Sequence, residues 1–392
     1  MSIDESQVTA AVAAVIDPEL RRPLGELGMV GPVRVKRKKA TVGIALPVAH
    51  YPQVDELADR LRLAVGSVRG VDEVEVESAV MEEEPRARLR MLLRGEAVEG
   101  GTQHAADDGH DHGHDHGAQL GHEEGRPNRF MLPRSKTRIL GISSGKGGVG
   151  KSSVTVNMAV SLARMGYDVG ILDADVYGFS VPKMLGITTD PLIIGDLVVP
   201  PTANGVRCLS MGYFVPDDTP VIWRGPMLHK ALEQFLVDVD WGDPEFLLVD
   251  MPPGTGDVAL SMAQYLPTSE VYVVTTPQPA ARRVAQRSAY MAKKLNLPLR
   301  GVIENMSWLT TPDGGRQHLF GDGGGHQLAE ELGVPLLGQI PLDPAVRIGG
   351  DEGSPISATN PESEAARAFA DIAAALVARG RARVFRSELT VS

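Results

Sequence analysis

Hydrophobic and polar positions change their period twice along this chain of 392 residues, and the changes divide it into three stretches. Over residues 1–96, Gln7–Ile16 has helical spacing that stops at Asp17-Pro18, because a residue before proline is pushed out of the helical region. Val30–Arg37 and Ala40–Leu46 alternate as strands, Val54–Val65 reads as an amphipathic helix, and Val71–Glu77 alternates once more. This predicts a small α+β domain. Over 97–134 no period emerges, apolar residues are few, and a disordered linker is expected. Over 135–392 short apolar runs alternate with helical ones, which places strands at 138–143, 169–173, 206–210, 246–251, 271–276, 299–304 and 335–340. Runs such as Phe246-Leu247-Leu248-Val249 suit parallel strands buried on both faces. The expected fold is therefore α/β, a doubly wound, mostly parallel sheet that takes ligands at the carboxyl ends of its strands.

Composition narrows the setting. The length suits two domains and a linker, and 43% hydrophobic with 23% charged residues is ordinary for a globular chain. The net charge of −11 argues against general nucleic-acid binding, which needs a basic footprint. The one dense basic run, Arg34 with Lys36 to Lys39, near-alternates with Val33 and Val35 and reads as the solvated face of an edge strand. A single cysteine, Cys208, excludes an intramolecular disulfide, and its place in Val206-Arg207-Cys208-Leu209 predicts a buried, inert thiol. The amino terminus lacks an export pattern and no stretch approaches 18 apolar residues, so a cytoplasmic protein without a membrane partner is expected.

The strongest chemical signal is Gly145-Lys146-Gly147-Gly148-Val149-Gly150-Lys151-Ser152-Ser153, which fits GxxxxGK[ST] between an apolar strand and a helical stretch. Glycines let backbone N–H groups approach phosphate oxygens, and the following helix adds its positive dipole end. Lys151 is expected to reach the β- and γ-phosphates and the Ser152 hydroxyl to ligate Mg²⁺. Two acidic motifs end strands at the same sheet edge, Asp173-Ala174-Asp175 and Asp250-Met251-Pro252-Pro253-Gly254. Asp250 is the candidate holder of the Mg²⁺ water shell, Asp175 the candidate to orient the attacking water, and Gly254 offers a bare N–H near the γ-phosphate.

Three resemblances add to this. Lys146 inside the loop resembles the deviant Walker A ATPases, the group of cell-division and plasmid-partition ATPases, which implies a homodimer in which this lysine reaches the partner's phosphates. Asp173 to Gly178, Val221-Ile222-Trp223-Arg224-Gly225-Pro226-Met227, Asp250 to Asp257 and Glu304-Asn305-Met306-Ser307 together resemble the Mrp/ApbC iron–sulfur cluster carrier ATPases over roughly 136–380. That resemblance implies ATP and Mg²⁺, an iron–sulfur cluster passed to apoproteins or assembly factors, Asn305 at the adenine edge, and Pro341 to Asp343 lining the base. An Asn-Lys-x-Asp guanine signature is missing, which favours ATP over GTP. Residues 17–30 resemble the small domain of SufT/PaaD-type iron–sulfur assembly factors, with His50-Tyr51-Pro52 where many relatives have Gly-Cys-Pro.

The chain departs from the carrier pattern at one place. The Cys-x-x-Cys pair that normally follows Glu-Asn-Met-Ser is replaced by Thr311 and Gly314, neither of which offers a thiolate to iron, so the ligands of any cluster are unassigned. Two other readings stay open. A positioning ATPase would use the tail, where Phe369, Ile372, Leu376 and Val377 have helical spacing before Arg379, Arg381, Arg383 and Arg386; packing on the sheet accounts for the same stripe. A metal chaperone would use Gly109 to Gly117, with His110, His112, His114 and His116, although a disordered ligand set has no fixed geometry with which to select a metal.

Overall fold

In a computed structural model, residues 4–95, 128–132, 135–176, 178–214, 225–254 and 256–381 are described. The histidine tract, Val221 to Arg224, Arg383 and Arg386 lie outside them. The chain divides into two units, 1–122 with 191–199, and 123–190 with 200–392.

The smaller unit begins with α1 (Glu5–Ala14), whose N-cap Asp4 accepts from the Ser6 N–H at 3.0 Å. At the Asp17-Pro18 turn the Asp17 carboxylate accepts from the N–H of Glu19 (3.0 Å), the N–H of Leu20 (2.8 Å) and the Tyr51 hydroxyl (2.6 Å). Then come β1 (Val30–Lys36), β2 (Lys39–Leu46), α2 (Val54–Gly66), β3 (Glu73–Val80) and α3 (Glu83–Arg94). The sheet order is β1-β2-β3, with β2 antiparallel to β1 and parallel to β3. β1 is an edge strand, with Arg34 and Lys36 exposed and Val33 and Val35 half-buried. Helix α3 sets Leu89, Leu92 and Leu93 on one face against the core. Only Leu89 and Leu93 bury fully, one turn apart, while Arg86–Glu83 and Arg88–Glu84 pairs cover its outer side.

The larger unit opens with β4 (Arg138–Ser144), α4 (Lys151–Arg164), β5 (Val169–Asp173) and α5 (Val181–Leu185). The chain then departs from the expectation that 135–392 is one domain. It forms a hairpin, β6 (Leu192–Ile194) and β7 (Leu197–Val199), that belongs to the smaller unit. Leu192, Ile194, Leu197 and Val199 join the core of Leu24, Met29, Leu57 and Leu61, and Asp196 pairs with Arg94 at 2.7 Å. Four apolar side chains buried at about 1.5–3 kcal/mol each make this more than a surface contact.

The chain returns through β8 (Thr202–Ala203), β9 (Val206–Ser210), α6 (Gly225–Val237), β10 (Phe246–Asp250), α7 (Asp257–Tyr265), β11 (Glu270–Thr275), α8 (Pro279–Lys294) and β12 (Leu299–Glu304). A short hairpin, β13 (Leu309–Thr310) and β14 (Arg316–Gln317), precedes α9 (Gly324–Leu332), β15 (Leu336–Gln339), α10 (Pro344–Glu352), α11 (Ile356–Thr359) and α12 (Glu364–Ala378). The sheet runs β15-β12-β11-β4-β10-β5-β9-β8 and is parallel except for β8. Every residue of β4, β5, β10 and β11 is buried, as strands covered on both faces require. The stripe of the tail is core: Phe369, Ile372 and Leu376 of α12 pack with Val156 and Val160 of α4 and with Leu140. No helix of the described residues is long and apolar enough to cross a membrane.

Candidate nucleotide site

Register builds the site. Asp250 closes β10 directly beside Asp173, the last residue of β5, and Ser210 of β9 lies on the far side of Asp173. Neighbouring strands are ~4.8 Å apart, so the parallel ladder alone brings two carboxylates together at the carboxyl edge. The same edge carries the loop between β4 and α4, where Gly148 (φ +79°) and Gly150 (φ +78°) take left-handed backbone and turn consecutive N–H groups to one side. Gly145 is required for another reason. A Cβ there would lie 2.2 Å from the Ala285 backbone nitrogen of α8.

Lys151 and Ser152 both bond to Asp250 Oδ2, the ammonium Nζ and the hydroxyl Oγ each donating at 2.6 Å. Thr155, one turn along α4, donates to Asp250 Oδ1 at 2.7 Å. Asp175 Oδ2 lies 3.4 Å from Lys151 Nζ. Asp173 Oδ2 accepts from Ser210 Oγ at 3.0 Å and from the N–H groups of Ser180 (3.2 Å) and Val181 (3.3 Å), and so fixes the start of α5. Burial, and then the neighbouring Asp250 charge, raise the Asp173 carboxyl well above the ordinary carboxylate range. Two buried carboxylates, Asp175 and Asp250, thus share the Lys151 ammonium, and Asp250 beside the Ser152 hydroxyl offers hard oxygen donors of the kind that suit Mg²⁺.

A cavity of about 540 Å³ opens over these groups. Among the described residues its lining includes Lys146, Gly147, Gly148, Gly150, Lys151, Ser152, Ser153 and Asp175, with Ser180 and Met184 from α5 and its approach and Pro252 and Pro253 after β10. The structure brings together the loop and the two acids singled out from sequence. It places others differently. Lys146 Nζ bonds in its own chain to Gln278 Oε1 at 3.1 Å. The Gly254 N–H donates to the Ser144 carbonyl at 2.8 Å, closing the segment after β10 onto β4 rather than standing free for a phosphate. Asn305 Nδ2 donates to the Val149 carbonyl at 2.9 Å and braces the loop from behind, beside Met306 at φ +57°. Pro341 is buried, and Asp343 caps α10 through Ala345 N–H at 2.8 Å; none of these three lines the cavity. An isolated acid after a strand is a ready helix cap, and at Asp343 that bond is the one formed.

Thr155 and Gln278 are the residues that sequence reading missed. Thr155 was findable, because position i+4 from Lys151 shares its helix face. Gln278, distant in sequence, had no such signal.

Where the carrier pattern has its cysteines, the turn between β13 and β14 is closed on itself. Thr311 N–H donates to the Gly315 carbonyl and Gly314 N–H to the Thr311 carbonyl, both at 2.9 Å, and Gly314 has φ +83°. Cys208 is fully buried in β9, and burial pushes its thiol far up from the ordinary value. Among the described residues no group of three or more His, Cys, Asp or Glu is placed to hold a metal ion.

A glycine-rich loop between a buried parallel strand and a helix, with its lysine and serine on the acid that ends a neighbouring strand, defines a P-loop NTPase. Residues 135–377 match the family described as NUBPL iron-transfer P-loop NTPase, and residues 5–77 match the iron–sulfur cluster assembly protein family. An iron–sulfur cluster carrier protein of Mycobacterium leprae is 44% identical over 96% of this chain and 94% of its own length. One of Bacillus subtilis is 40% identical over 87% and 88%. A solved nucleotide-binding protein from Archaeoglobus fulgidus, in complex with ADP, is similar at TM-score 0.50 and 31% identity, covering 58% of this chain and 90% of that one. The chain belongs to the iron-transfer P-loop NTPase family, with an iron–sulfur assembly domain ahead of the NTPase.

Proposed function

We propose that this chain is a Mg²⁺-dependent ATP hydrolase that works as a homodimer in iron–sulfur cluster transfer to apoproteins or assembly factors. The observation that carries the nucleotide half is the shared bond of Lys151 and Ser152 to Asp250 at the floor of the loop cavity. ADP in the Archaeoglobus relative supports an adenine nucleotide. In this reading the loop N–H groups and Lys151 hold phosphate oxygens, and Asp175 orients the attacking water. Ser152 and Asp250 would hold Mg²⁺, which offsets phosphate charge when bound. Asn305 keeps one amide hydrogen on Val149 and has its carbonyl oxygen and second hydrogen for the base, with Pro341 and Asp343 beyond it. Lys146 leaves Gln278 and crosses to the partner subunit's phosphates, which ties turnover to dimerisation. Magnesium-dependent ATP turnover that rises faster than linearly with protein concentration is expected; turnover independent of both would exclude the scheme.

The cluster half rests on the family and on the carrier relatives. This chain's own turn offers Thr311 and Gly314, and Cys208 is sealed in the sheet, so thiolates for the cargo come from the protein that gives or receives it. Iron and sulfide analysis after anaerobic reconstitution tests this. A colourless chain alone that still speeds ATP-dependent loading of an apoprotein is the expected result; a stable brown chain would show ligands that the structure does not offer.

A further inference from the structure

Helix α8 has two faces with different company. Its inner face clasps the nucleotide site. Gly145 packs on the backbone of Val284 and Ala285, Ser143 Oγ and Ser288 Oγ share a bond of 2.7 Å, Ser288 Oγ donates to the Gly254 carbonyl at 3.2 Å, and the N-cap residue Gln278 holds Lys146. Both sequence segments that must respond to a nucleotide, the loop and the stretch after β10, therefore lean on this one helix.

The outer face is a single file at spacings of four, three and four: Arg283, Arg287, Tyr290 and Lys294, all exposed. These positions lie on one side of a helix over about 16 Å. Among the described residues, no hydrogen bond or ion pair engages Arg283, Arg287 or Lys294, whereas neighbouring Arg282 pairs with Glu331 and Lys293 donates to the Leu332 carbonyl. Three unpaired cations around a half-exposed tyrosine ring are out of keeping with a chain of net charge −11. A local positive file on an acidic body favours a short acidic ligand. Screening confines its field to about 8 Å at physiological salt, which a short segment fills, whereas an extended polyanion also meets a body whose net charge is negative. Tyr290 supplies an apolar ring beside the charges of the kind that anchors protein interfaces. Like charges also disfavour pairing of the file with its own copy.

We propose that the Arg283–Arg287–Tyr290–Lys294 file is a docking surface for an acidic segment of a partner protein, and that its affinity for that segment changes with the nucleotide state. The second clause rests on the proposed ATP site; the first does not.

The probe is a fluorescein-labelled helical peptide of about 16 residues with Glu at every third or fourth position and one Leu, titrated by anisotropy into the full chain with and without a non-hydrolysable ATP analogue. Binding that weakens at least tenfold in the Arg283→Glu/Arg287→Glu/Lys294→Glu variant, weakens between 50 and 300 mM salt as charge screening requires, and shifts several-fold with the analogue is expected. Unchanged binding in the variant overturns the surface. Tighter binding of a DNA duplex or of phosphatidylserine vesicles through the same three residues overturns the partner class, and loss of the dimer in the variant shows a self-interface instead. A labelled ATP analogue titrated into the same preparations separates the two clauses: if it binds and the peptide affinity does not move, the coupling fails; if it does not bind, the ATP reading fails while the docking result stands. Unchanged circular dichroism and melting temperature in the variant keep a lost signal attributable to the file.

Discussion

Each unit of this chain buries carboxylates, and the company they keep differs. In the smaller unit Asp17 and Glu19 are 0% and 3% exposed, and no ion pair reaches either of them among the described residues. Asp17 takes two backbone N–H groups and the Tyr51 hydroxyl on Oδ1 alone, and its buried Oδ2 has no hydrogen-bond partner. Its role is to tie a turn to the core. In the larger unit Asp250 is equally buried, yet its bonds come from Lys151, Ser152 and Thr155 on the helix that follows a phosphate loop. A carboxylate held by neutral, fixed donors is a structural device. One held by an ammonium and a hydroxyl that a ligand can recruit is poised for chemistry.

The sharpest way to break that comparison is Lys151→Ala. ATP turnover is expected to fall by roughly a thousandfold, as loss of a main electrostatic contact to phosphates requires, with the fold of the smaller unit unchanged by hydrogen exchange. An equal loss in both units would mean the lysine is structural. The converse is Ile194→Ala in the hairpin that completes the smaller core. Removing a fully buried side chain is expected to cost the smaller unit about 2–4 kcal/mol in denaturant unfolding. ATP turnover should hold within about twofold, since Ile194 packs in the smaller core and is not among the residues that line the loop cavity; a large drop would show that the two units unfold as one.

Asn305→Ala removes a brace of about 1 kcal/mol from the loop and is expected to weaken ATP binding about fivefold. No change would place Asn305 outside the site altogether. The smallest effect is a pH dependence. Burial, outweighing the bond from Gln53, raises Glu19 from 4.5 to about 6. The folded chain therefore binds a proton that the unfolded chain releases between those values, and this group's contribution to stability grows as pH falls from about 7 through 6 towards 4.5. Glu19→Gln should raise the melting temperature of the smaller unit at pH 7.5 and have little effect at pH 5, which differential scanning calorimetry can read; a rise of equal size at both pH values would remove ionisation as the cause.

The sequence by itself determined the loop, the strands that bring it to the carboxyl edge, and the two acids that end them. These depend on local period and on residue types at fixed short spacing, and Gly145 to Ser153 permits few other uses. It also determined that Thr311 and Gly314 cannot supply thiolates, since that follows from covalent chemistry. Tertiary structure alone decided the pairings between distant stretches. Leu192 to Val199 lies in the sequence of the larger unit and in the core of the smaller one, because an apolar hairpin of eight residues carries no address. Lys146 meets Gln278, Asn305 meets Val149 and Gly254 meets Ser144 across separations of more than 100 residues. The order in which strands enter the sheet fixes such contacts, and no periodicity along the chain records that order.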